Sequence, residues 1–149
     1  MLDKSILFVV LLFCFCIVTE AKPRTATCKV TPLWLTSEVR SSNYGDLGTF
    51  MVSGEEEHTV RSFKDEDSGR VITAGVRFDY DYSKRPERRW RVRLAITVSD
   101  KEVKEIFENA DSSEASTLDK NGWNLNVTKS VNVKDRLFMY TLRCQQDKR

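Results

Sequence analysis

Between residues 69 and 100 the sequence reads GRVITAGVRFDYDYSKRPERRWRVRLAITVSD, and this stretch limits the possible folds more than any other. Val76, Phe78, Tyr80 and Tyr82 alternate with Arg77, Asp79 and Asp81. Trp90, Val92, Leu94, Ile96 and Val98 alternate with Arg91, Arg93, Ala95 and Thr97. Successive side chains of a strand point to opposite faces, so a period of two built from β-branched and aromatic residues predicts two half-buried strands. The basic residues 83–89 then form the turn of a hairpin. Pairing Tyr82 with Trp90, Tyr80 with Val92, Phe78 with Leu94 and Val76 with Ile96 keeps one face apolar. The same register sets Asp81 opposite Arg91 and Asp79 opposite Arg93. A slip of one residue would oppose apolar and charged side chains along most of the ladder. Each opposed charge pair contributes only about 0.2 to 1 kcal/mol, so such pairs select the register more than they stabilise it.

The remaining segments extend the β pattern. Residues 27–36, 48–53, 58–63, 122–129 and 137–144 read as strands, the last of them apolar enough to be buried on both faces. Pro32 lacks a ladder donor and belongs at a sheet edge or a bulge. Residues 100–110, DKEVKEIFENA, change period: Val103, Ile106, Phe107 and Ala110 recur at helical spacing, and Ser99 or Asp100 can cap the start. The polar stretches 37–48, 64–69 and 111–121 read as loops. This order of elements predicts a mostly β, single-domain antiparallel sandwich or partly open barrel with one short helix across it.

The first 21 residues have a different character. Lys4 precedes an unbroken apolar run over 6–18, and Thr19, Glu20 and Ala21 follow. As a helix the run spans roughly 20 Å, short of the hydrocarbon core of about 30 Å. A signal peptide cleaved after Ala21 fits these flanks, leaving residues 22–149 as one β-rich secreted domain with no membrane span. Cys14 and Cys16 leave with it. Cys28 and Cys144 then have a single possible pairing within the chain, and an oxidising route favours that disulfide. Asn126-Val127-Thr128 is the only N-glycosylation sequon. The alternation sets Asn126 opposite Trp123, Leu125 and Val127, on the solvent side, where a glycan needs to be.

Chemistry-bearing motifs are few. Lys and Arg number 24 against 22 Asp and Glu. That balance argues against a nucleic-acid partner, which selects a lopsided basic surface. The single histidine, His58, stands beside Glu55, Glu56 and Glu57, fewer His or Cys ligands than a zinc site draws on. Asp65-Glu66-Asp67-Ser68-Gly69 begins like a calcium loop, but Val76 stands where the closing glutamate is needed. No GxSxG elbow is present. The expectation is therefore no catalysis, no metal and no cofactor. Lys84, Arg85, Arg88 and Arg89 at the hairpin turn form the candidate partner-binding cluster, since Arg91 and Arg93 have aspartates across the ladder. Trp34, Trp90 and Trp123 would line the cavity if the sheet enclosed a ligand.

The segment VITAGV at 71–76 is similar to the QVVAG loop-strand motif of cystatins, and Trp123 is placed like the tryptophan of their second inhibitory loop. The glutamine position is held by Arg70 or Val71, no proline precedes Trp123, and residues 37–63 carry no long-helix pattern. The paired C-terminal cysteines of secreted cystatins have no counterpart. The resemblance implies inhibition of papain-like proteases as an alternative function. The leading expectation is a secreted, monomeric, non-catalytic binding protein of host-defence, venom, salivary or matrix type. Its partner would be an extracellular protein or an anionic glycan. A carrier of a lipid or small apolar ligand is a further alternative.

Overall fold

A computed structural model describes residues 22–35, 42–43, 45–86, 89–118 and 122–147. The leader-like residues 1–21 and most of the 37–44 stretch lie outside the described residues, as does the side chain of Trp34. The chain is mostly β, in two antiparallel sheets. In the first, β1 (Ala26–Leu35) pairs with β9 (Arg136–Gln146), and β9 pairs with β8 (Asn124–Val133). The other side of β1 carries β3 (Gly48–Val52) along residues 26–30 and β2 (Ser42–Asn43) along 33–34. Pro32, without an N–H to donate, falls between these two partners. The second sheet runs β4 (His58–Asp65), β5 (Arg70–Tyr80), β6 (Trp90–Ser99), β7 (Ser112–Thr117). One core joins both sheets: Val30, Val52, Phe138 and Leu142 from the first meet Ile72, Val76, Phe78, Leu94 and Ile96 from the second. Of the two architectures that the pattern allows, this is the sandwich-like one. Among the described residues, no helix is long and apolar enough to cross a membrane.

Cys28 and Cys144 stand directly opposite on β1 and β9, with sulfurs at bonding distance, 2.07 Å. The last strand alternates rather than being buried on both faces: Phe138, Tyr140, Leu142 and Cys144 point inward, and Arg143 and Gln145 outward.

The central hairpin is present, with its register displaced by two residues. Tyr80 opposes Trp90, Phe78 opposes Val92 and Val76 opposes Leu94. An even displacement leaves the faces unchanged, which is why alternation could not detect it. The turn decides it. The Asp81 carboxylate accepts from the Ser83 hydroxyl at 2.6 Å and the Ser83 N–H at 2.9 Å, while Asp81 N–H donates to Arg89 O at 2.8 Å. These bonds, side chain first, hold the Asp81 carboxyl below the ordinary carboxylate value. Asp81 is therefore a turn former rather than a cross-strand partner of Arg91. Asp79 opposes Arg91, and Arg77 opposes Arg93. Those like charges are bridged by Asp79, 2.8 Å from Arg77 Nε and 3.9 Å from Arg93 Nη2.

β5 also begins six residues earlier than Val76. Residues 71–76 pair with β4 on one side and β6 on the other, with Ile72, Ala74 and Val76 fully buried. A strand so placed leaves no inhibitory loop at the segment that resembles the cystatin motif.

The expected helix over 100–110 contracts to one turn, α1 (Ile106–Asn109). Of its proposed caps, Asp100 pairs with Arg70, and the Ser99 hydroxyl accepts from Lys101 N–H at 3.2 Å as a cap would, but no helical turn follows before Ile106. The apolar spacing nevertheless packs as expected. Ile106 is fully buried on the outer face of the second sheet. A Cβ at Gly75 would lie 2.9 Å from Phe107 Cζ and 3.0 Å from Ile106 Cγ2, so glycine admits the close approach. The polar stretch expected as a loop contains β7, SSEAST, an edge strand paired along β6. An edge facing solvent needs no apolar alternation, and its main chain still completes the ladder.

Candidate functional site

Two segments remote in sequence meet at one end of the sandwich. The first is the turn leaving β3. Ser53 Oγ accepts from Glu55 N–H at 3.2 Å, and Phe78 N–H donates to Glu57 O at 2.8 Å, tying the turn to β5. Gly54 is required by space: a Cβ there would lie 2.5 Å from the backbone of Pro23 and 2.6 Å from Arg24 N. The turn presents Glu55, Glu56 and Glu57 outward, with Glu56 Oε2 accepting from Thr59 Oγ1 at 3.0 Å.

The second segment is the base and tip of the β5–β6 hairpin. Here the inward face runs past the end of the core as an aromatic row. Tyr80 meets Trp90 edge-to-face at 4.8 Å and Tyr82 at 4.6 Å. Tyr82 is 84% exposed, an unusual position for a ring this size. Between the glutamate turn and Phe78, Tyr80 and Trp90 lies a surface groove of about 420 Å³. Its charge is acidic and its far wall aromatic. The indole N–H of Trp90 is buried and has no hydrogen-bond partner among the described residues.

The candidate basic cluster divides. Lys84 and Arg85 are exposed, and among the described residues neither reaches a carboxylate at ion-pair distance. Arg89 serves the turn instead: Nη1 donates to Tyr80 Oη at 3.1 Å, Nε donates to Lys84 O at 3.2 Å, and the guanidinium lies 6.0 Å from the Tyr80 ring centre. Arg88 lies outside the described residues. Asn126 is exposed on β8, as the alternation requires, and Thr128 Oγ1 lies 2.9 Å from Thr141 Oγ1.

A second groove, about 550 Å³, lies between the 66–69 turn and the β8–β9 turn. The aspartate that resembled a calcium ligand is buried beneath it. Asp65 Oδ2 accepts from Tyr140 Oη at 2.5 Å and Ser68 Oγ at 2.7 Å, and Oδ1 accepts from Asp67 N–H at 3.2 Å. Those donors occupy the carboxylate that a metal would need. Among the described residues, no three His, Cys, Asp or Glu side chains converge as a metal site. His58 packs edge-on against Phe107 at 6.3 Å, on the outer face of its sheet.

Sequence reasoning found the hairpin tip and missed the groove beside it. The signals were present as EEE in a turn and aromatic residues at two strand ends, but only the β4–β5 ladder brings them together. Comparison with family models, curated proteins and solved structures finds no match.

Proposed function

We propose that this chain is a secreted, monomeric, non-catalytic binding protein that meets an anionic extracellular partner, a sulfated glycan, through the tip of the β5–β6 hairpin. One observation carries the reading: Lys84 and Arg85 stand exposed beside the outward ring of Tyr82, on a turn fixed by its own hydrogen bonds. Clustered cations on a raised turn attract sulfate groups, and an exposed ring stacks on the apolar face of a sugar. The leader-like residues 1–21, the disulfide pair and the solvent-facing sequon at Asn126 support the secreted compartment in this reading.

The test is retention on immobilised heparin. Replacing Lys84, Arg85 and Arg88 together by alanine is expected to weaken binding roughly tenfold, about 1.4 kcal/mol, with elution at lower salt. Arg89 stays in place because it holds Tyr80. Unchanged retention would exclude the anionic-partner reading. Intact mass of the protein from a secreting cell reads the compartment separately. The expected species lacks residues 1–21, gains two hydrogens on reduction and loses mass on enzymatic deglycosylation. A chain that retains its first 21 residues would count against secretion by this route.

A further inference from the structure

We infer that the open edge of β4 is a self-pairing surface held shut by Arg61, and that the partner it takes when opened is β4 of a second copy. The inference is independent of the tip reading, since it rests on other residues and concerns what keeps two copies apart.

The ladder shows which groups the edge presents. Among the described residues β4 ends its sheet, paired with β5 along its length. Phe78 N–H donates to Glu57 O, so these two form a hydrogen-bonded pair at the start of the ladder. In an antiparallel ladder such pairs alternate with pairs that make no bond. The continuous register then directs the main-chain groups of Thr59, Arg61, Phe63 and Asp65 to β5. Those of His58, Val60, Ser62 and Lys64 turn to the open side, a template for another strand.

Arg61 closes this template in two ways. Its Nη1 donates to Val60 O at 2.9 Å, which is a carbonyl on the open side. Its position is the second. Arg61 stands opposite Ala74 in the core-facing row that includes buried Ile72 and Val76, yet its own side chain is exposed. A charge at an inward position of an edge strand opposes pairing, because an added strand would cover it. The register adds a further cost. Two copies related by a twofold axis pair open-side residues with one another. The register that uses most of the strand sets His58 against Lys64 and Val60 against Ser62, and it sets Arg61 opposite itself. That central pair is of the unbonded kind, whose side chains lie closer, and like charges there are destabilising.

The test is sedimentation equilibrium of the disulfide-bonded protein over about 1 to 300 µM. Wild type is expected at the mass of one chain throughout. Arg61→Val removes the charge and the guanidinium bond and suits a strand. Its average mass is expected to rise toward two chains across the range, a weak dimer because one strand edge is a small interface. Its melting temperature at low concentration should match wild type, since position 61 is exposed. Arg61→Lys keeps the charge and should stay single. Arg61→Val/Val60→Pro loses an open-side N–H that makes no ladder bond, and should return to one chain. Amide hydrogen exchange reads the same contact without a proline: Val60 and Ser62 N–H should exchange more slowly in the Arg61→Val dimer than in wild type. A folded Arg61→Val variant that stays single at about 300 µM would overturn the inference. So would self-association of wild type or Arg61→Lys equal to that of Arg61→Val, since the charge would then not hold the edge. Association that leaves Val60 and Ser62 exchange unchanged, or that survives Val60→Pro, would place the contact elsewhere and reject it. Growth beyond two chains would also reject it, because a twofold pairing is closed.

Discussion

Replacing both Cys28 and Cys144 by alanine is expected to lower the unfolding free energy by roughly 3 to 5 kcal/mol. Urea titration followed by far-UV circular dichroism reads this as a lower midpoint with native strand content before the transition. The size follows from the sequence separation of 116 residues between the two cysteines. Cross-linking positions so far apart removes a large share of the conformations open to the unfolded chain. The native ladder does not need the bond to form: β1 and β9 pair from Ala26 with Gln146 to Leu35 with Leu137. The loss therefore appears as stability rather than as a different fold. Domains of this size are stable by about 5 to 15 kcal/mol, so the loss is a large share of the whole. An unchanged midpoint would show that the ends of the unfolded chain already remain close together.

Tyr140→Phe is the second large effect, expected to cost about 1 to 3 kcal/mol because it strips a donor from a buried carboxylate. Tyr140, Ser68 and Asp65 form a polar cluster inside an otherwise apolar interface, joining β9 of one sheet to the end of β4 in the other. The cluster also gives the variant a pH signature. Burial first, and the hydrogen bond to Asp65 second, raise the Tyr140 hydroxyl well above its ordinary value of 10.0. The folded protein thus keeps a proton that the unfolded chain releases. This contribution is fully present below about pH 10 and declines as pH rises above that, toward the folded-state value. Wild-type protein should therefore lose stability more steeply above pH 10 than Tyr140→Phe does. Parallel slopes in the two proteins would show that the phenol titrates alike folded and unfolded.

What sequence could and could not specify separates along physical lines. Side-chain alternation reports faces, so the inward set of the hairpin as far as Tyr80 and the outward Asn126 were legible, and the pairing of Cys28 with Cys144 was legible by count, as the two cysteines outside the leader. Alternation is blind to a displacement by two, and the register was settled by the Asp81–Ser83 turn bonds. β7 escaped because SSEAST, at a wet edge, carries no apolar signal. The helix was overextended because Ser99 and Asp100 read as caps: Asp100 pairs with Arg70 instead, and the Ser99 bond to Lys101 N–H closes a local turn that no helix continues. The Asp65 cluster was invisible for another reason: 75 residues separate Asp65 from Tyr140, and nothing local marks either as a partner. The groove at Glu55–57 had the same obstacle, lying across a ladder from the rings that face it.

The pairing of the first long strand with the last has a consequence for the order in which the molecule can be assembled. During synthesis β1 emerges first and β9 last, so the first sheet lacks the strand that joins β1 to β8 until the final residues are made. The second sheet is different. Its four strands follow one another along the chain, each pairing with its neighbour, so it can close by short-range steps while the rest is still being made. In the interval β1 has only the short partners β2 and β3 to hold it, and the Cys28 thiol waits unpaired. Arrival of β9 then completes the ladder, closes the core over the sheet already formed and brings Cys144 to Cys28 in the same event. Truncation before β9 would thus leave a formed half-sandwich with its apolar face open, a species prone to self-association.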